Sequence, residues 1–399
     1  MKNNGWRQVP LCEVLELNES GTWGVEGDRE DYPVLRSSNM HDGRMSLEDT
    51  AYRKVPERDV IRYKLEEHDI LVTKSSGSSH LIGKSCLFRN PDGRTYLFSN
   101  FTQRLRTKKD FLDPTFLHLF LQSPIAKDFL KKISNTTSGL RNLSMKDYGR
   151  QLVPLPPLRA QMQIAAILEK ADAVREKRRH TNQLTEQFVQ SAFLEMFGDP
   201  VRNPKGFSIQ AMENVCDKVT DGEHLTPKLK PSGKHIIMAK DVREDRIDFS
   251  QDHFVTEEEF TKFSRRCNPE KGDVLLVSRG ATIGRCTVVR VSNSFCLMGS
   301  VILIKPRDVG PQYLEHLFKN SKFVKHLIKL SPASAQQAIY LQNLKKLRIP
   351  VPPKELQNKF ADLVEKVESL RAKQRESEKE LDNLFNSLMQ RAFRGDLVG

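Results

Sequence analysis

The sequence repeats itself after about half its length, and this repeat constrains the fold more than any other feature. Residues 153–157 read VPLPP and residues 349–353 read IPVPP, 196 positions later. Four further pairs of similar segments follow in the same order, namely 113–117 with 310–314, 82–84 with 283–285, 39–45 with 241–247, and 5–6 with 206–207. One chance match is easy to obtain, but five in order are not. The chain is therefore predicted to contain two copies of one structural unit.

Each half combines a mixed region of roughly 150 residues with a long charged stretch. Short β-like runs at 69–74, 272–279 and 300–306 lie among turn residues, and amphipathic helical segments follow at 114–123 and 311–321. The predicted fold class is α+β, with two repeated mixed domains and two long antiparallel coiled-coil helices that relate by a pseudo-twofold axis. The predicted boundaries are 1–155 and 199–351 for the domains, and 156–198 and 352–399 for the helices.

The two long stretches contain no Gly or Pro from 158 to 197 and from 354 to 393, so both are predicted to be helical. In the second, apolar residues follow a 3,4 spacing that is typical of a coiled-coil seam. Both seams become polar at their centres, at Arg178 and Thr181 and at Gln374 and Ser377. An antiparallel pair would place these polar positions opposite one another. The alternative is two unrelated helices, each packing on its own domain.

The charge balance favours a polyanionic partner, because 64 Lys and Arg residues face 51 Asp and Glu residues for a net charge of +13. The excess is concentrated between residues 71 and 109, where eight basic residues face only Asp92. The six cysteines form no C-x-x-C pair, which favours free thiols over a zinc site. Neither a signal peptide nor a run of 18 apolar residues is seen, so a soluble, cytoplasmic protein is expected.

Catalytic motifs are weak. The segment from Gly77 to Ser85 resembles a phosphate-binding loop, but five residues separate its glycines where that loop has four, and a strand is predicted after it. The two Pro-Pro pairs lack the neighbours that a base-flipping methyltransferase needs. His80, His224 and His235 have no Cys or His partner at ligand spacing, so no metal site is predicted.

Polar and basic loops at equivalent places in the two halves are the best candidates for contacts with DNA, because they combine phosphate-binding cations with short donors for base edges. Most such loops are merely loops, so only some of these residues are expected to touch DNA. The candidates are Lys74, Ser75, Ser76, Ser78, Ser79, Lys84, Arg104, Arg106, Thr137, Ser138, Arg141, Asn142, Ser278, Arg279, Thr282, Arg285, Gln336 and Gln337.

The order of these parts resembles the specificity subunit of type I restriction-modification enzymes over essentially the full length. The resemblance is carried by 153–168 (VPLPPLRAQMQIAAIL), 351–364 (VPPKELQNKFADLV), 384–393 (LFNSLMQRAF), 69–74 (DILVTK) and 272–284 (GDVLLVSRGATIG). It implies two target-recognition domains that each read one half of an asymmetric, bipartite DNA site. A departure from the family pattern is the polar pair Arg178 and Gln374 in the predicted seam.

The resemblance also implies partners. Two methyltransferase subunits would dock on the helices and two restriction subunits would join them. S-adenosylmethionine, ATP and magnesium would be bound by those partners and not by this chain. The predicted partner-binding residues are Leu158, Ile164, Ile167, Phe360, Leu363, Leu384 and Leu388.

Two alternatives from other classes remain open at this point. The chain could be a coiled-coil scaffold or adaptor with incidental basic charge, which a salt-dependent DNA-binding measurement would test. It could also be an ATP-binding enzyme that uses Gly83, Lys84 and Ser85, which nucleotide binding by the purified chain would test.

Overall fold

The computed structural model describes residues 5–41, 43–78, 81–133, 141–329 and 337–398, apart from the side chain of Arg141. The chain divides into two compact units. The first unit contains Met1–Arg178 and Ser377–Gly399, and the second contains Arg179–Glu376. Both boundaries fall inside long helices, so each unit holds parts of both.

The strands of the first unit are β1 (Arg7–Pro10), β2 (Leu15–Ser20), β3 (Val25–Glu26), β4 (Tyr32–Leu35), β5 (Met40–His41), β6 (Arg44–Met45), β7 (Ala51–Lys54), β8 (Ile70–Thr73), β9 (Ser75–Ser76), β10 (Ser85–Leu87), β11 (Leu97–Phe98), β12 (Thr102–Thr107), β13 (Arg141–Asn142) and β14 (Leu152–Leu155). Antiparallel strands form a sheet in the order β10-β8-β12-β2, and a second sheet has the order β11-β4-β7-β3. Strand β1 pairs antiparallel with β14.

The strands of the second unit are β15 (Ser208–Ala211), β16 (Cys216–Asp221), β17 (Lys234–Ile237), β18 (Phe254–Val255), β19 (Val274–Val277), β20 (Cys286–Val288), β21 (Phe295–Leu297), β22 (Val301–Pro306) and β23 (Arg348–Val351). Its main sheet has the order β16-β22-β19-β20, which reproduces β2-β12-β8-β10 of the first unit. Strand β15 pairs antiparallel with β23, as β1 does with β14. The two units therefore share one topology, as the sequence repeat predicts.

The helices are α1 (Glu57–Tyr63), α2 (Pro114–Gln122), α3 (Pro124–Ile133), α4 (Met145–Tyr148), α5 (Leu158–Phe197), α6 (Met212–Val215), α7 (Glu257–Arg266), α8 (Pro311–Lys319), α9 (Ser321–Lys329), α10 (Leu341–Lys346) and α11 (Lys354–Arg394). The long helices α5 and α11 begin where the prolines end, and α11 ends one residue beyond the predicted position. Prolines suit a helix start because the first turn needs no N–H from them.

Within each unit, a segment of α5 runs antiparallel to a segment of α11. In the first unit the Arg175 guanidinium lies 2.7 Å from an Asp382 carboxylate oxygen, and Ile164 shares a core with Phe393. In the second unit Arg371 pairs with Glu186, and the Phe197 and Phe360 rings lie 5.3 Å apart. Arg175 and Arg371 are 196 positions apart, as are Glu186 and Asp382, so the same cross-helix ion pair occurs in both units.

The predicted helical seam is partly wrong. The 3,4 spacing predicts that Leu370 and Leu384 lie in the seam, but they are 49% and 52% exposed. Buried positions on α11 include Phe360, Val364, Val367, Arg371 and Gln374, a 4,3 spacing in place of the predicted 3,4 spacing. One departure is Arg371, which is buried and pairs with Glu186 on α5. A seam identified from apolar residues alone omits a charged residue such as Arg371, which is buried in an ion pair.

Candidate nucleic-acid interface

A cleft in the second unit lies where β19 ends. Ser278 follows β19, its N–H donates to the Ser300 carbonyl at 2.9 Å, and its carbonyl accepts from the Ile339 N–H at 2.7 Å. A β-bridge joins Arg279 to Ala338. These bonds hold the segment from 337 to 343 beside the strand end, so that two distant parts of the chain face one space.

The cleft has a volume of about 1440 Å³. Its lining comprises Asp221, Ser278, Arg279, Gly280, Ile283, Ile302, Gln337, Ala338, Ile339, Tyr340, Leu341, Gln342 and Asn343. Arg279, Gln337 and Tyr340 are exposed. The lining thus combines a cation, amides and hydroxyls with apolar walls, a set that can contact both phosphates and base edges.

Asp221, the last residue of β16, gives this cleft an acidic wall. Its carboxylate pairs with Arg266 and lies 3.0 Å from the His224 ring. The buried Ser278 hydroxyl has no hydrogen-bond partner among the residues that the structure describes. The Arg279 guanidinium is held only loosely, 3.4 Å from the Gly299 carbonyl, and so remains able to bind a ligand.

The first unit builds the same backbone arrangement with other side chains. Lys74 follows β8, its N–H donates to the Phe101 carbonyl at 2.9 Å, and its carbonyl accepts from the Leu143 N–H at 2.8 Å. Strand β9 (Ser75–Ser76) pairs with β13 (Arg141–Asn142), as Arg279 bridges to Ala338 in the second unit. Lys74 and Ser278 therefore occupy equivalent positions.

A hydrogen-bonded network fills this place in the first unit. The Lys74 ammonium donates to the Ser20 hydroxyl at 2.6 Å. That hydroxyl donates to the Gln103 side-chain oxygen at 2.9 Å, and the Gln103 amide donates to Asn18 at 2.7 Å. Ser20 pairs with Gln103 as Asp221 pairs with Ile302, so Ser20 and Asp221 are also equivalent.

Several predicted DNA-binding residues meet at these two places. Ser278, Arg279 and Gln337 line the second-unit cleft, and Lys74, Ser75, Ser76 and Asn142 meet at the end of β8. Ser78, Lys84, Thr282 and Arg285 are half-buried on the adjoining turns, where the Arg285 guanidinium lies 3.3 Å from the Val242 carbonyl. Ser79, Thr137, Ser138 and Gln336 lie outside the described residues, as does the side chain of Arg141.

Two of the predicted DNA contacts are wrong. Arg104 is 2% exposed, and its guanidinium binds Glu19 and the carbonyls of Lys64 and Arg62. Arg106 forms paired hydrogen bonds of 2.7 and 2.8 Å with Asp69, and a third bond with Glu66. Both arginines are neutralised within the fold and are unavailable to DNA.

The predicted partner-binding residues fall into three groups. Ile164 and Phe360 are fully buried in the cores of their own units, so their prediction is wrong. Leu158 is half-buried, and Leu363 and Leu388 pack partly against the cores. Ile167 and Leu384 are exposed on α5 and α11. Of the seven predicted residues, these last two are the most exposed.

Sequence reasoning missed Asp221, Tyr340 and Phe101. Phe101 is exposed beside Lys74, and its carbonyl accepts the N–H groups of both Lys74 and Ser75. Asp221 could have been found by extending the repeat, because Gly21 and Gly222 follow Ser20 and Asp221. Tyr340 was harder to find, because the segment beside it matches the other half of the sequence only weakly.

The resemblance of residues 77–85 to a phosphate-binding loop does not extend to structure. Ser85 begins strand β10 and is buried, and no helix follows Lys84 directly. The loop geometry that cradles a phosphate requires the start of a helix at this point. The prediction of a strand after Lys84 is confirmed.

The described ranges contain neither a cluster of metal ligands nor a membrane-spanning helix. No group of three or more His, Cys, Asp or Glu side chains there could hold a metal ion. No helix in that part of the chain is both long and apolar enough to cross a membrane.

Comparison with known proteins gives consistent matches. The family model of the type I restriction modification DNA specificity domain matches residues 3–186 and 212–382. The type I restriction enzyme EcoKI specificity subunit of Escherichia coli K12 is 29% identical over 41% of this chain and 36% of its own length. The StySPI specificity subunit of Salmonella potsdam is 23% identical over 99% of this chain and 89% of its own length.

Solved structures match the same fold. A chain from a study of complex assembly and conformational transition of the type I R-M system has a TM-score of 0.54 and 21% identity, with 99% of each chain covered. The type I restriction-modification S subunit from M. genitalium has a TM-score of 0.56 and 12% identity, with 98% of each chain covered. At these identities the likeness is one of fold.

Proposed function

Because this chain belongs to the family of type I restriction modification DNA specificity domains, we propose that it is the subunit that selects the DNA sequence for a type I restriction-modification complex. It recognises an asymmetric, bipartite site in double-stranded DNA and directs methyltransferase and restriction subunits to it. The observation that carries this proposal is the pair of equivalent polar sites at the ends of β8 and β19, which share one backbone arrangement.

The different side chains at these two sites support two different half-sites. The first-unit site holds a lysine bound to the Ser20 hydroxyl, and the second-unit site holds an aspartate, a serine and an exposed arginine. Because base edges are distinguished by their pattern of donors and acceptors, unlike sites select unlike bases. A scaffold or adaptor role gives no reason for this arrangement.

We propose that α5 and α11 form an antiparallel coiled coil that separates the two recognition domains and relates them by a pseudo-twofold axis. The support is the cross-helix ion pair that recurs in both units, Arg175 with Asp382 and Arg371 with Glu186. Helix length would then set the gap between half-sites, at about 1.5 Å of rise per residue.

The proposed partners dock on the long helices. Apolar side chains remain exposed there, among them Ile167, Val174, Phe188, Leu370 and Leu384. Exposed apolar residues on a charged helix are typical of a protein interface. We propose that two methyltransferase and two restriction subunits assemble with this chain in the cytoplasm, and that they bind S-adenosylmethionine, ATP and magnesium while this chain carries no catalytic site.

Replacing Arg279 with Ala should weaken the contact with one half-site about 5- to 150-fold and relax the base preference there, because a good arginine contact with a base contributes about 1–3 kcal/mol. The measurement is selection of DNA from a random library by the full-length chain, followed by titration of the selected site at two salt concentrations. Arg265→Ala is the matched control, since Arg265 is also exposed in the second unit but lies on α7, outside the cleft.

The possible results distinguish an error in the role given to Arg279 from an error in the proposed function. Equal relaxation of both half-sites by Arg279→Ala would show that this residue does not belong to one recognition domain. Failure of the wild-type chain to enrich any sequence, with binding insensitive to salt, would contradict the proposed function itself.

A further inference from the structure

We infer that the cleft beside Ser278 receives the exocyclic amino group of one base in the half-site read by the second unit, whereas Lys74 closes the equivalent place in the first unit. This inference rests on the proposed function and deepens it, because it assigns a specificity-determining position and the chemistry of the base that fits. The amino group belongs to adenine or to cytosine, since these bases carry one in the major groove.

Lys74 and Ser278 occupy equivalent backbone positions in the two units. Lys74 and Ser278 each directly follow a central strand of the main sheet. Each donates its N–H to the residue just before the neighbouring strand. The carbonyl of each accepts an N–H from a later segment of the chain. The partners are Phe101 and Leu143 for Lys74, and Ser300 and Ile339 for Ser278. Each central strand also pairs in the same register with its neighbour in the sheet, β8 with β12 through Thr73 and Thr102, and β19 with β22 through Val277 and Val301.

The side chains make the two places different. Lys74 spans the gap to β2 and places its ammonium 2.6 Å from the Ser20 hydroxyl. Ser278 is too short to span it, and its hydroxyl has no partner in the part of the chain that the structure describes, although the residue is only 3% exposed. A buried hydroxyl without a partner is costly, so a ligand that supplies a hydrogen bond there binds favourably.

The charge at the cleft decides which part of DNA fits. The Asp221 carboxylate lies at the position of Ser20 and lines the cleft together with the apolar side chain of Ile302. A carboxylate repels a phosphate and accepts hydrogen bonds from an amino group. Arg266 and His224 flank the carboxylate without removing its capacity to accept further hydrogen bonds. Asp221 and Ser278 therefore favour a base that carries an amino group over a backbone phosphate.

The decisive variant is Ser278→Lys, which copies Lys74 of the first unit. The new side chain should reach Asp221 as Lys74 reaches Ser20, and so close the cleft without disturbing the backbone. In selection from a random DNA library, the full-length variant should keep the half-site of the first unit and lose the base preference at one position or more of the other. Affinity for the wild-type site should fall about 10- to 100-fold.

Two further measurements keep the inference testable if Ser278→Lys perturbs folding. Ser278→Ala removes only the hydroxyl and should lower affinity for the wild-type site about 5-fold or more. In the wild-type site, each adenine is replaced in turn by purine and each cytosine by 2-pyrimidinone, which lack the amino group. One such replacement should weaken DNA binding by the wild-type chain but have little further effect on DNA binding by the Ser278→Ala variant. The base at that position then shows whether the amino group belongs to adenine or to cytosine.

Lys74→Ser is the matched control in the other unit, and should leave the half-site of the second unit unchanged. The inference is overturned if Ser278→Lys, folded as judged by its thermal unfolding, selects both wild-type half-sites. It is also overturned if no amino-group replacement distinguishes wild type from Ser278→Ala. If the wild-type chain selects no sequence at all, the proposed function fails first, so the two failures are distinguishable.

Discussion

Replacing Arg104 with Leu should lower the free energy of unfolding by about 3–5 kcal/mol, the cost of removing one partner from a buried ion pair. Arg104 is 2% exposed, and its guanidinium donates to the Lys64 carbonyl at 2.6 Å and to the Arg62 carbonyl at 3.0 Å, in addition to its pair with Glu19. Leucine fills part of the space but leaves two carbonyls without their donor, and leaves the Glu19 carboxylate with only the Arg62 side chain at 3.2 Å. Urea denaturation of the full chain measures the loss.

The second unit supplies the compensating change. The positions equivalent to Arg104 and Glu19 are Leu303 and Thr220, which β16 and β22 pair in the same register. The double variant Glu19→Thr with Arg104→Leu should therefore recover part of the stability lost by Arg104→Leu, because it also removes the carboxylate that Arg104 neutralised. A loss below about 1 kcal/mol for Arg104→Leu would show that the buried pair contributes little.

Replacing His316 with Leu should make the second unit less sensitive to acid. His316 is buried against the Phe193 and Phe360 rings, and burial together with Lys319 lowers its pKa from 6.5 to about 3. Because the unfolded chain binds a proton more readily, stability is complete above pH 6.5 and falls as the pH decreases toward 3. At pH 5 the loss from this one group is about 2 kcal/mol.

Leucine is suited to this position, because Leu119 occupies the equivalent place on α2 and is buried. Hydrogen exchange of the α8 amides at pH 7 and pH 5 measures the stability of the second unit. The wild-type value should fall between these conditions, and the value for His316→Leu should fall less. His118 in the first unit has a pKa lowered by burial to about 4, so the acid response of α2 should persist in the variant as an internal control. An unchanged acid response of α8 would assign the effect to other groups.

The architecture was predictable because it depends on patterns that survive in sequence. The repeated proline segments fixed the starts of α5 and α11, and the absence of Gly and Pro fixed their lengths. Runs of buried Val, Ile and Leu residues located β8, β19 and β22 within the predicted segments. These signals are local, and each half of the chain repeats them.

The individual side chains were less predictable, because pairing between distant segments decides their role. The basic stretch from 71 to 109 appeared unopposed, yet Arg106 is neutralised by Asp69 and Glu66, just outside it. Arg371 is buried because Glu186, far away in sequence, faces it. The contrast between Lys74 and Ser278 becomes visible only when the strand register aligns the two units.

The modification pattern of genomic DNA tests the central claim most directly. Methylation-sensitive sequencing is performed on cells that carry this gene with its neighbours, on cells that lack the gene, and on cells with Arg279→Ala. We expect methylation at a two-part, asymmetric sequence that disappears without the gene, and that loses the definition of one part only in the variant. The same methylated sequence with and without the gene would contradict the account.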